Sequence, residues 1–153
     1  MVATKETFVV QSLMERLTTR DDWPLTRTAS LRFLKESIRR DLVRLLNTRQ
    51  PPPSEFSEYE LIRKSVLNYG LADLSSLNTS AGAHLQHIQS IVQICIEEFE
   101  PRLEELTVSV ERRDLGKREI WFHIEARLQI RPMAETVSFD TMLDLTSGTY
   151  AVS

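Results

Sequence analysis

Three acids crowd the end of an apolar helical pattern in "CIEEFEPRLEEL", residues 95–106: Glu97, Glu98 and Glu100 precede Pro101 and Arg102. The last carbonyls of a helix carry partial negative charge and favour cations, so each exposed acid here opposes its own helix by some tenths of a kcal/mol. Pro101 ends the helix, because it lacks an N–H and pushes the preceding residue out of α geometry. Two readings follow. In one, Pro101 is punctuation that aligns the next strand, and Glu100 and Arg102 are ordinary surface charges. In the other, the charges serve binding, since local choices that oppose a fold collect where function is served. The residues alone leave both open.

Other chemistry is harder to assemble. His84 and His87 stand one helical turn apart with Cys95 about two turns further on, too far to share an ion through one helix face. No metal site is expected, and Cys95, inside an apolar run, is expected to be a buried, inert thiol. The 22 acids always offer some pair at glycosidase spacing, so spacing carries no information, and no aromatics interleave with acids as in a sugar groove. There is no G-x-S-x-G elbow, and four glycines form neither a Walker nor a dinucleotide loop. No cofactor is implied. Arg32, Lys35, Arg39, Arg40 and Arg44 give one helix a basic side, but Glu36 and Asp41 interrupt it. That reads as a solvated face, or one docking an acidic protein, rather than a nucleic-acid site.

The chain of 153 residues suits one domain with a single core, with 41% hydrophobic and 27% charged residues and a net charge of −3. A single cysteine builds no intrachain disulfide. The start, MVATKETFVV, lacks the basic and apolar regions of a signal peptide, and no stretch has the length of a membrane span. A cytoplasmic location is the expectation.

Positioning these residues requires helices first and strands afterwards. Residues 1–29 form a lead-in segment, with a short amphipathic helix marked by Val10, Leu13, Met14 and Leu17 and broken by "TTRDDWPLT". Residues 30–153 form the single domain. Its first helix starts at Ser30 as cap, carries the stripe Leu31, Leu34, Ile38, Leu42 and Leu45, pairs Glu36 with Arg40, and ends near Asn47 before three prolines. Ser57 and Glu60 suggest a capping box for a short helix over about 58–67, with Gly70 as a left-handed cap beyond it. A second long helix covers 81–99, its apolar face widened by Ile94. The period then drops to two. Leu106, Val108 and Val110, then Ile120 to Ile130, then Val137 to Leu145, and finally "TYAV" predict three to four antiparallel strands with turns at "RRDLGK" and "RPMAE". The fold class is α+β, N-terminal helices packed on a C-terminal antiparallel β meander. Its open edge invites strand addition, and "ETVSFDTMLDLTSGTYAV" is the expected contact stretch.

"EPRL" at the junction of a long helix with a meander resembles the signature of the baseplate wedge family shared by contractile phages and type VI secretion systems. With "SLMERL", "SLRFLKESIRRDLVRLLNTR" and "SVLNYGLADLSSL", the ordered set resembles the TssE-like subunits of that family over about residues 12–150; Ala72 departs from it, standing where proline is expected. The resemblance implies a structural, non-enzymatic subunit of the type VI secretion baseplate, assembled in the cytoplasm at the inner-membrane side. It implies partners TssF and TssG in the wedge and TssB and TssC in the contractile sheath. It further implies that Glu100, Pro101 and Arg102 bind a partner. The family also bears a lysozyme-like label, so a muramidase acting on peptidoglycan is the alternative, with a generic α+β protein-binding adaptor as the third.

Overall fold

The structure, a computed structural model, describes residue 17 and residues 26–51, 59–72, 82–114, 118–130 and 134–153, with side chains at all but 82–84 and 112–114. Helix α1 spans Arg27–Asn47. It begins three residues before the expected start, because Thr26 is the cap, its hydroxyl accepting from the Ala29 N–H at 3.3 Å. Ser30 lies inside the first turn, buried, donating to the Arg27 carbonyl at 2.8 Å. Either hydroxyl could cap in isolation; burial of Ser30 decides between them. Leu34, Ile38, Leu42 and Leu45 are buried as expected, joined by Leu46, while Leu31 is half-buried. Glu36 makes its direct ion pair with Arg39 at 2.7 Å, while the expected partner Arg40 lies 6.0 Å over the Phe33 ring and acts on Glu36 only through its charge. Of the lead-in helix only Leu17, exposed, is among the described residues.

The expected helix over 58–67 divides into α2, Glu60–Arg63, and a 3-10 turn, Val66–Asn68. Ser65 causes the break: its hydroxyl donates to the Ile62 carbonyl and accepts from the Leu67 N–H. Ser57 lies outside the described residues, and the α2 cap is Tyr59, with no side-chain bond. Gly70 does have a positive φ, +113°, but its role is close approach rather than capping. A Cβ there would lie 2.9 Å from the Thr48 carbonyl carbon. Next to it, fully buried Leu71 exchanges backbone bonds with Thr48 and Gln50 at 2.9 and 2.8 Å. Helix α3 spans Gly82–Phe99 and buries Ile88, Val92, Cys95 and Ile96. Ile94, expected to widen that face, is 62% exposed, so the buried stripe is narrower than the composition suggests.

Four antiparallel strands follow in the order β1-β2-β3-β4: Leu103–Asp114, Glu119–Leu128, Glu135–Asp144 and Thr149–Val152. Strand β1 begins three residues before its alternation does. A register step between Glu104 and Thr107, with Glu105 at φ 51°, inserts a bulge, so Leu103 and Leu106 both point inward despite their odd spacing. On β2 every second residue from Ile120 to Leu128 is buried, and the register sets Ile124 between Val108 and Phe139. This face packs under both helices, α1 over β4 and α3 over β1. Phe122 at its centre is fully buried, and truncating such a ring to alanine costs about 3–5 kcal/mol. The opposite face is mostly polar and exposed, apart from the half-buried pair Trp121 and Met142, as a one-sided antiparallel sheet allows.

Candidate interaction site at the helix-to-strand corner

Glu100 is the first residue past α3, its N–H still bonded to the Ile96 carbonyl at 2.8 Å. Pro101 is exposed and turns the chain, and the Leu103 N–H closes the turn on the Glu100 carbonyl at 3.1 Å. The corner thus folds Arg102 back over the helix end. Glu100 is only 4% exposed. Arg102 donates from Nε to its Oε1 at 2.5 Å and from Nη2 to its Oε2, and Nη2 also reaches Asp41 Oδ2 at 2.7 Å. Asp41 in turn accepts from Arg44 at 3.3 Å. The hydrogen bonds to Glu100, opposed by burial and aided by Asp41, raise the Arg102 pKa above its ordinary value. The guanidinium is therefore a fixed positive charge.

This geometry accounts for the acids. Glu100 is neutralised by Arg102, which supplies the cation that the helix C-terminus favours. Glu97 is exposed and accepts from Gln93 at 2.9 Å one turn back. Glu98 is half-buried, with one carboxylate oxygen shielded from solvent and unbonded among the described residues. The structure therefore joins Glu100 and Arg102, leaves Pro101 as the exposed apex, and adds Asp41, which sequence reasoning did not place here. A signal for it existed: Asp41 is an acid bordering the buried stripe of α1 inside an otherwise basic run. Arg102 remains 31% exposed at its side chain, and no described residue engages its Nη1.

Side chains of both long helices bond to the sheet edges. On β4, Asn47 of α1 accepts from the Tyr150 N–H at 2.9 Å and donates to the Tyr150 carbonyl at 2.8 Å, like a neighbouring strand. Arg39, two turns earlier, donates to the Val152 carbonyl at 2.9 Å. On β1, Gln89 and Gln93 of α3 donate to the Val108 and Leu106 carbonyls at 2.6 and 3.3 Å. The expected contact stretch at residues 135–152 does contain the edge strand β4, where the Tyr150 N–H and the Tyr150 and Val152 carbonyls are already engaged. Beyond Val108, no helix side chain among the described residues reaches the β1 edge.

The remaining candidates do not converge. His87 is exposed and Cys95 is buried with its thiol toward the Gly70 carbonyl, 3.2 Å away; burial pushes its pKa up to about 12. The basic side of α1 is committed locally: besides the Arg39 and Arg44 bonds, Lys35 pairs with Glu135 at 2.9 Å. No described helix is long and apolar enough to cross a membrane.

The corner thus holds an ionised guanidinium fork, partly exposed, beside an exposed proline on an α+β scaffold. The chain belongs to the baseplate wedge protein gp25 family, whose profile matches residues 32–133 and so includes the whole corner. No curated protein matches the sequence. Among solved structures, one chain of the baseplate complex from the type VI secretion system is similar, with TM-score 0.52 and 13% identity, covering 73% of this chain and 95% of that one. A protein described as a tail lysozyme from Geobacter sulfurreducens gives TM-score 0.49 and 18% identity over 70% and 88% of the two chains. At 13% identity the likeness to the baseplate chain is one of fold.

Proposed function

We propose that this chain is the TssE-like wedge subunit of a type VI secretion baseplate, a non-enzymatic structural piece. Its corner, Glu100–Pro101–Arg102, docks on TssF and TssG, and its strands join the baseplate to the sheath subunits TssB and TssC, on the cytoplasmic side of the inner membrane. The observation that carries this reading is the Arg102 guanidinium, locked by Glu100 and Asp41 yet one-third exposed, with Nη1 bonded to no described residue. A partner carboxylate or helix-end carbonyl meets a donor already oriented, so little side-chain freedom is lost on binding. The family match and the likeness to a type VI baseplate chain support the setting. The muramidase alternative gains nothing from the corner. Arg102 occupies both oxygens of Glu100, leaving neither for a glycosidic oxygen.

The test is co-purification with co-expressed TssF and TssG, comparing wild type with Arg102→Lys. Lysine keeps the charge facing Glu100 but removes the fork, so circular dichroism should be unchanged while the complex is lost. A folded Arg102→Lys protein that assembles like wild type overturns the corner as a docking site. Failure of the wild type to bind overturns the assignment of partners.

A further inference from the structure

We propose that Glu111, His123 and Asp140, on the solvent face of the sheet opposite the helices, form a binding site for a first-row divalent cation such as zinc. The three side chains come from three adjacent strands. His123 on β2 lies directly opposite Asp140 on β3, and its Nδ1 is 2.7 Å from Asp140 Oδ1 and 3.9 Å from Glu111 Oε1. One donor atom from each residue falls within 4.8 Å of the other two. Metal–donor bonds of about 2.0–2.2 Å in tetrahedral geometry set donors roughly 3.3–3.6 Å apart. The observed separations bracket that value, so small side-chain rotations suffice.

Glu111 owes its place to a second bulge. Val110 lies opposite Phe122 and Arg112 opposite Trp121, so the register steps across Glu111 and leaves it without a partner on β2. Bulges commonly re-aim a side chain in this way. The donor set, one imidazole nitrogen and two carboxylates, suits zinc-like cations better than calcium or magnesium, which take oxygen alone. Two carboxylates thus face the His123 ring, Asp140 at 2.7 Å and Glu111 at 3.9 Å from Nδ1. All three donors are at least partly exposed, so the remaining coordination positions open to solvent and can take water or a ligand from another protein.

The experiment is calorimetric titration of zinc chloride into the full chain at neutral pH, in a buffer that does not bind zinc, with a thermal melt in parallel. One zinc should bind per chain and raise the melting temperature. His123→Ala should weaken binding by more than the roughly 10–100-fold that loss of an outer-shell partner costs. Glu111→Gln should also weaken it, and both variants should keep the wild-type circular dichroism, since neither side chain is in the core. Replacing His84 and His87 together should change nothing. Absence of saturable binding by wild type overturns the proposal. So does binding that survives His123→Ala or is lost with His84 and His87.

Discussion

Arg102→Ala tests the corner most directly, and the structure changes what it measures. Truncation leaves Glu100, 4% exposed, without the cation that contacts both its oxygens. Breaking a buried pair by removing one member costs about 3–5 kcal/mol. Arg102 is itself one-third exposed, so water enters part of the space it vacates, and Asp41 keeps Arg44. The expected loss is therefore about 2–4 kcal/mol. For a chain of this size that lowers the melting temperature by roughly 5–12 °C. Urea denaturation of the isolated chain measures it. Because the loss comes from an orphaned charge, Glu100→Gln added to Arg102→Ala should recover part of it. If Arg102→Ala destabilises by under about 0.5 kcal/mol, or the double variant is no milder than the single, the buried-pair argument is wrong. Lost assembly in an Arg102→Ala variant is thus ambiguous between docking and folding, whereas Arg102→Lys separates the two.

Other outcomes follow from single contacts. Gly70→Ala places a Cβ against the Thr48 carbonyl at φ +113°; it should cost about 1–3 kcal/mol, read as a lower urea midpoint. Asn47→Ala leaves the Tyr150 N–H and carbonyl without their side-chain partner; it should cost about 1–3 kcal/mol and speed hydrogen exchange at the Tyr150 amide. For His123 the pKa is raised, chiefly by its bond to Asp140 against slight desolvation, with Glu111 and Glu125 adding to it. Protonation therefore favours the fold: with metal chelated, its stabilisation is complete below about pH 6.5 and fades as pH rises through the elevated value. His123→Gln should flatten that part of the stability profile, measured by denaturation across neutral pH.

The two long helices and strand β2 were legible because their periodicity is sustained and faces one core. The alternation from Ile120 to Leu128 matches the observed burial, and the stripe of α1 holds with Leu46 added and Leu31 only half-buried. Local signals fail where two residues compete for one role. Thr26 and Ser30 are both capping residues, and Arg39 and Arg40 are both within reach of Glu36; burial and contacts remote in sequence decide each case. Odd spacing hides the start of β1, because Leu103 and Leu106 share a face only through a bulge. At the corner, Glu100–Pro101–Arg102 stood out by opposing the helix dipole, but Asp41, far away in the chain, is a second partner of Arg102 that the local sequence does not show. Ile94 shows the limit of composition: an apolar residue on a helix need not be covered within the described residues.

Asn47, Arg39, Gln89 and Gln93 have a consequence for how such a subunit is stored before use. A sheet with raw borders would add strands from any neighbour and polymerise at whatever concentration it was made. Here three hydrogen bonds hold the β4 border, each about 0.5–1.5 kcal/mol net, so an incoming strand must displace roughly 3 kcal/mol of existing contacts. That is a penalty of more than a hundredfold in the encounter equilibrium. Spontaneous growth is suppressed by that factor, while a template that fixes the incoming strand in place can overcome it. Any strand addition at this border is thereby conditional on position.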